Sequence, residues 1–186
     1  MRNINKHFNK QYFESREHIA WRGDVVAETI LAFCPGTDSL VDVGCGTGDI
    51  LAGIRKLKPG VYLQGIDGAI EAKKQYMGSV GTFLLRDMCK AKGVSLNYFE
   101  VCICFEVFQY IEPQYQKTFM RNLQRLSNKI LISAPEELQA TVRRYMVENK
   151  YHEKSVTKLR EQLETIKHKP AVKGIYHNSM YFEKRV

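Results

Sequence analysis

Long hydrophobic runs are missing from this 186-residue chain. None approaches the ~18 consecutive apolar residues of a membrane span. The first residues, MRNINKHFNKQYFESREH, have neither the apolar stretch nor the small-residue cleavage pattern of a secretory leader. A cytoplasmic protein with no membrane partner is expected. Paired cysteine spacing is missing too. Five cysteines, Cys34, Cys45, Cys89, Cys102 and Cys104, form an odd set, which excludes a simple disulfide framework. A zinc site normally needs two short Cys/His pairs, and only Cys102 and Cys104 are close, so no metal is expected. Both lie in the apolar stretch NYFEVCICFEVF, where alternate strand positions face the same side as small buried hydrophobes. Proline is sparse at five residues, with no low-complexity stretch and no internal repeat of solenoid period.

What is present is ordinary globular composition, 44% hydrophobic and 26% charged, at a length that suits one domain. The net charge is +8, and the excess sits near the two ends. Over residues 1–16, Arg2, Lys6, Lys10 and Arg16 meet one acid, Glu14, and lysines and arginines outnumber acids after Glu137. A basic face attracts polyanions, although a solvated basic surface explains the same numbers.

Strand-like and helix-like segments alternate. The stretch up to about Phe33 reads as helical, with Ile19, Val26, Ile30 and Phe33 on one stripe, and Pro35-Gly36 breaks it. Strands are expected at Leu40–Val43, Val61–Ile66, Thr82–Leu85, Val101–Cys104 and Lys129–Ser133. Helices are expected at Asp49–Leu57, Ala69–Met77, Pro113–Ser127, Glu136–Lys150 and Ser155–Ile166. The tail predicts strands at Ala171–Tyr176 and Met180–Lys184, joined by the turn His177-Asn178-Ser179 into an antiparallel hairpin at the sheet edge. Such alternation implies an α/β fold, with parallel strands and helical crossovers on both faces.

The strongest local signal is Val41-Asp42-Val43-Gly44-Cys45-Gly46-Thr47-Gly48. A buried strand runs into glycines at alternate positions, and a helix follows. Glycines there permit a sharp turn and a ligand lying directly on the main chain, at the strand end where open parallel sheets bind ligands. The dinucleotide fingerprint would require glycine where Asp49 stands. An acid at that helix start also repels a pyrophosphate, so a ligand without phosphates is expected. Asp67 closes the second strand and can accept from both hydroxyls of a ribose. Asp87, just beyond the third strand, can accept from an exocyclic amine such as that of adenine. Each acid alone reads equally well as a turn residue; the series of three strand ends carries the signal.

VDVGCGTG, then GIDGA, LRD and FEVCICFEVFQYIEP together resemble the class I S-adenosylmethionine-dependent methyltransferases, over about Ser39 to Ser133. The resemblance implies a Rossmann-like three-layer αβα sandwich. Its seven-stranded, mostly parallel sheet has one antiparallel strand near the edge. It implies S-adenosylmethionine as cofactor and S-adenosylhomocysteine as product. Carried over by position, Asp42, Gly44 and Gly46 flank the methionine part, and Cys45 and Gly68 are further cofactor-binding candidates. Asp67 takes the ribose, and Asp87 with the backbone of Met88 takes the adenine. The main chain near Cys104 meets the amino group. Tyr12 and Arg22 are candidates to close the site and pair with the carboxylate. One domain is expected over 1–186: an N-terminal helical cover (1–35), a cofactor-binding half (36–134), and C-terminal helices with the hairpin (135–186).

The acceptor side is less legible. The family often reads E-V-x-E-H after the fourth strand, and this chain reads Glu106-Val107-Phe108-Gln109-Tyr110. Tyr110 therefore stands where a histidine is common, and Glu106 is the alternative base. The motifs of nucleobase amino-methylating and cytosine-carbon enzymes are absent, and no acid cluster suggests a metal-dependent catechol-type site. His152, before the Ser155-capped segment, is a further candidate, by likeness to enzymes acting on sugars, lipids and other small metabolites. A small-molecule O- or N-acceptor is preferred. The alternatives are RNA or another polyanion, and a cofactor-binding domain without catalysis. Oligomeric state is not legible.

Overall fold

The computed structural model describes residues 6, 8–14, 21–78, 80–90, 98–156 and 178–185. They fall into two compact units, 1–87 and 88–186. A seven-stranded sheet has the order β3-β2-β1-β4-β5-β7-β6, with the strands defined below.

The first unit begins with helices α1 (Lys10–Glu14) and α2 (Trp21–Phe33). Both lie in the stretch up to Phe33 that reads as helical, and Ile19 lies outside the described residues. Strand β1 (Ser39–Val43), helix α3 (Asp49–Leu57), strand β2 (Tyr62–Asp67), helix α4 (Ile70–Gln75) and strand β3 (Thr82–Leu85) follow. Pairing is parallel, with Asp42 opposite Gly65 and Val43 opposite Ile66, and Asp67 opposite Leu85. Leu40, Val41, Leu63 and Ile66 are almost fully buried, as a strand covered on both faces requires. Helices α2 and α3 approach at Gly23 and Gly53, where an added Cβ would meet backbone at 2.2 and 2.6 Å.

The second unit carries β4 (Val101–Cys104), a 3₁₀ turn (Phe108–Tyr110), α5 (Pro113–Leu126), β5 (Lys129–Ser133), α6 (Glu136–Glu148), β6 (Tyr151–Lys154) and β7 (Ser179–Lys184). Pro113 opens α5 where its missing N–H costs nothing. Strands β4 and β5 are parallel. Strand β7 runs antiparallel to β5 on one side and to β6 on the other.

That arrangement corrects the tail. Strand β7 is where Met180–Lys184 was expected, but it is flanked by two strands, and the edge strand is β6, which the sequence did not suggest. Tyr-His-Glu-Lys has one buried position out of four, so it carries no apolar alternation to read. Edge strands tolerate such composition because one side faces water. Arg143 of α6 fastens this edge through a two-pronged ion pair to Glu153, at 2.7 and 3.0 Å. The expected helix Ser155–Ile166 and strand Ala171–Tyr176 fall almost wholly outside the described residues. Among the described residues no helix is long and apolar enough to cross a membrane.

Candidate functional site

The first unit builds its site at the carboxyl ends of three neighbouring strands. After β1 the chain turns through Gly44, Gly46 and Gly48, at φ of +80°, +55° and +90°. All three are in the left-handed region that side chains with a Cβ disfavour, which explains the glycines at alternate positions. The turn is tied to the end of β2. The N–H groups of Gly44 and Cys45 donate to the Ile66 carbonyl at 2.7 and 3.3 Å. The Gly46 N–H donates to Asp67 Oδ2 at 2.9 Å, and the Ala69 N–H to Asp67 Oδ1 at 2.8 Å. Asp67 therefore clasps the glycine turn to its own strand end. Burial pushes its carboxyl above the ordinary aspartate value, against the pull of the Ala69, Gly46 and Gly68 N–H groups.

Phosphate-binding turns leave their N–H groups pointing at the ligand. Here several are already committed to Ile66 and Asp67. The charges also have the wrong sign for phosphate: Asp42 is buried, Asp67 holds the turn, and Asp49 accepts from the Thr47 hydroxyl at 2.7 Å in the first turn of α3. Asp87 lies two residues past the end of β3, and Arg86 between them donates its N–H to the Asp67 carbonyl at 2.7 Å. The structure thus brings Gly44, Gly46, Asp67, Gly68 and Asp87 to adjacent strand ends, with strands about 4.8 Å apart. The committed N–H groups and the acidic side chains set this turn apart from an anion nest.

Aromatic rings surround the turn. Phe13 of α1 packs against Ala69 and Ala72, with Phe8, Tyr12 and Phe83 beside it. A Cβ on Gly46 would lie 3.5 Å from the Phe13 ring. Tyr12 meets Phe8 and Phe13 edge-to-face at 4.9 and 5.2 Å. The Arg22 side chain lies outside the described residues. Sequence reasoning missed Tyr76. Its ring fills the space a Cβ would take at Gly48 (2.6 Å) and Gly65 (3.1 Å), and it lies tilted against Phe83, ring centroids 4.8 Å apart. Its hydroxyl is buried without a hydrogen-bond partner. An unpaired buried hydroxyl costs about 1–3 kcal/mol. Tyr76→Phe is therefore expected to leave stability unchanged or raise it by about 1 kcal/mol, whereas Tyr76→Ala lowers it, as thermal unfolding can measure.

Cys45 is buried in the same turn. Burial first, then Asp42 and Asp67, push its thiol well above the ordinary value. With Cys102 and Cys104 also buried and Cys34 and Cys89 half-buried, a thiol reagent applied to native protein is expected to label Cys34 and Cys89 rapidly. Cys45, Cys102 and Cys104 should react only after denaturant. Early labelling of Cys45 in a peptide map would contradict this packing. Among the described residues no group of His, Cys, Asp and Glu could hold a metal ion.

The second unit presents its own strand ends. Met88 is buried, and the Asn122 side-chain amide donates to its carbonyl at 2.9 Å, which fixes that stretch of backbone. Cys104 ends β4. Two residues on, Glu106 is non-glycine at φ +59°, a strained conformation held by a small network. Its N–H donates to Ser133 Oγ at 2.7 Å, and Ser133 donates back to Glu106 Oε1 at 3.1 Å. The Gln109 amide donates to Glu106 Oε2 at 3.3 Å, while Gln109 Oε1 is buried with no partner. Tyr110 follows, half-buried in the 3₁₀ turn. Neither Ser133 nor Gln109 was signalled by sequence.

His152 is elsewhere. It sits on β6 opposite Glu183, which lies opposite Lys129 at the start of β5. Cys104 is level with Ile132 near the other end of β5. The register therefore removes His152 from the strand ends that carry Glu106, and its Nδ1 accepts from Arg185 Nε at 2.7 Å.

No protein-family model matches the chain, and no curated protein matches it by sequence. Solved structures do match by fold. A magnesium protoporphyrin IX methyltransferase from Synechocystis PCC 6803, with bound S-adenosylmethionine, is similar at TM-score 0.64 and 17% identity, over 98% of this chain and 95% of that one. The plantazolicin methyltransferase BpumL, in complex with S-adenosylhomocysteine, is similar at TM-score 0.62 and 15% identity, over 99% and 92%. A TehB-like S-adenosylmethionine-dependent methyltransferase from Corynebacterium glutamicum reaches TM-score 0.67 at 16% identity, over 81% and 87%. The chain has the fold of these proteins.

Proposed function

We propose that this protein is an S-adenosylmethionine-dependent methyltransferase that methylates an oxygen or nitrogen of a small-molecule acceptor and releases S-adenosylhomocysteine. The observation that carries the reading is the glycine turn clasped by Asp67 and ringed by carboxylates and aromatic side chains. Such surroundings favour a sulfonium cation and oppose a pyrophosphate. The neighbours support it: they share the fold, and the first two hold S-adenosylmethionine or S-adenosylhomocysteine. The names of the first two also specify magnesium protoporphyrin IX and plantazolicin, which favours a small molecule over nucleic acid. No membrane partner and a cytoplasmic location belong to the same reading, as does a single catalytic domain over the whole chain.

Asp67 accepts from the ribose hydroxyls through lone pairs left over from its backbone donors. Asp87 and the Met88 backbone hold the adenine. Asp42, Gly44, Gly46 and the main chain at Cys104 hold the methionine part, Cys45 and Gly68 line the same cofactor site, and Tyr12 and Arg22 cover it. When bound, the cofactor supplies an electrophilic methyl on a positively charged sulfur. What remains for the protein is to align the acceptor, exclude water, and take the proton the acceptor sheds as its new bond forms. We assign that proton to Glu106, with Tyr110 as the second candidate. Ser133 and Gln109 orient the Glu106 carboxylate.

The test is release of S-adenosylhomocysteine from S-adenosylmethionine over a panel of phenols, hydroxy acids and amines. Release with at least one hydroxyl or amine acceptor, reduced at least ~100-fold in Glu106→Gln, is the expected result. S-adenosylhomocysteine that binds while no acceptor yields product would leave a binding domain without catalysis.

A further inference from the structure

Helix α5 reads PQYQKTFMRNLQRL, with three cations and no carboxylate in 14 residues. The cations are Lys117, Arg121 and Arg125, every fourth position, so they form one row with steps of about 6 Å. All three are exposed. Among the described residues none has an ion-pair or hydrogen-bond partner. Helix-dipole compensation accounts for Arg125 in the last turn, but not for Lys117 near the first or Arg121 in the middle. The row borders a hollow between α5 and α6 of about 130 Å³, lined by Lys117, Arg121, Gln124, Tyr145, Glu148 and Asn149 among others. Arg144, also exposed, lies over the Tyr145 ring at 5.1 Å.

From this geometry we infer that the α5–α6 face docks an acidic helical segment of a partner protein. Carboxylates at every fourth position of a partner helix repeat at the same ~6 Å step, so three can face three cations at once. One feature favours a protein over a nucleic acid strand: Glu148 stands in the hollow and opposes an unbroken run of phosphates, whereas a protein segment can meet it with a donor. The surface lies within the second unit and does not depend on the methyl-transfer reading.

The experiment uses the full chain and a fluorescent, alanine-rich helical peptide with glutamates at every fourth position, followed by anisotropy at low and moderate salt. Binding is expected, weakening as salt rises. Triple charge reversal, Lys117→Glu, Arg121→Glu and Arg125→Glu, is expected to weaken it at least ~10-fold. The three positions are exposed, so the variant should keep its unfolding temperature and its affinity for S-adenosylhomocysteine; these readings separate failure of the docking surface from failure of the proposed enzyme. Four results overturn the inference: no binding of the peptide, equal binding by the reversed variant, equal binding of a peptide with the same glutamates placed consecutively, or tighter binding of an oligouridine through the same three residues.

Discussion

Replacing Asp67 by alanine is expected to weaken S-adenosylhomocysteine binding by ~1.5–3 kcal/mol, the scale of hydrogen bonds to a charged group, and to loosen the glycine turn as well. The carboxylate has two tasks. It accepts from Gly46 at 2.9 Å and Ala69 at 2.8 Å, and its remaining lone pairs are the ones assigned to the ribose. Alanine leaves those N–H groups without their acceptor at a half-buried position, so a loss of folding stability of about 1–3 kcal/mol accompanies the loss of affinity. Asp67→Asn keeps one acceptor oxygen and is expected to retain more of the fold than of the affinity. Calorimetry and denaturant unfolding on both variants separate the two tasks.

The raised Asp67 value gives a pH signature. The folded state holds this proton to a higher pH than the unfolded chain does. As pH rises from the ordinary aspartate value through the raised one, the folded state gives up a proton the unfolded chain has already lost. The Asp67 contribution to stability therefore falls across that window and is flat above it. The ionised form accepts from hydroxyls more strongly than the protonated one, so cofactor affinity moves the other way: it is full above the raised value and falls as the solution is acidified through it. In Asp67→Asn that pH dependence should vanish. An unchanged affinity profile in the variant would assign the titration to another group.

Gly48→Ala is expected to have the largest effect on stability. At φ +90° any side chain with a Cβ is strained by about 1–2 kcal/mol. The new methyl would also sit 2.6 Å from the Tyr76 ring, an overpacking worth roughly 1–3 kcal/mol. Together they predict a loss of about 2–5 kcal/mol in denaturant unfolding. Because Gly48 also caps α3, cofactor affinity should fall with it. The two costs separate in a double variant. Adding Tyr76→Ala removes the collision but not the backbone strain, so the two substitutions should be non-additive. Strict additivity would show that Tyr76 does not rest on Gly48.

Much of this was legible in the sequence where local chemistry decides structure. Strands β1, β3, β4 and β5 are short apolar runs, and they lie within one residue of where the pattern places them. The turn from Gly44 to Gly48 needs three glycines, and Asp49 announces that phosphate is unwelcome. Strand β6 was not legible because Tyr151–Lys154 is an edge whose polar positions face water. Its neighbour β7 was expected from its apolar content, but the partner it pairs with lies about thirty residues back in the chain. Tyr76 could not be found either, since one tyrosine after a short helix says nothing about two distant glycines whose missing side chains it replaces. The same holds for the Glu106–Ser133 exchange, which joins positions twenty-seven apart. Asp67 was read as a ligand for ribose; its clasp on the glycine turn depends on backbone N–H groups, which sequence does not display.

The most direct test of the account titrates S-adenosylhomocysteine and, separately, NAD into the protein by calorimetry. The clasped turn predicts one site for the thioether nucleoside, weakened in Asp67→Ala and in Gly48→Ala, and no heat from the dinucleotide. Binding of NAD in preference, or no binding of S-adenosylhomocysteine at millimolar concentration, would contradict it.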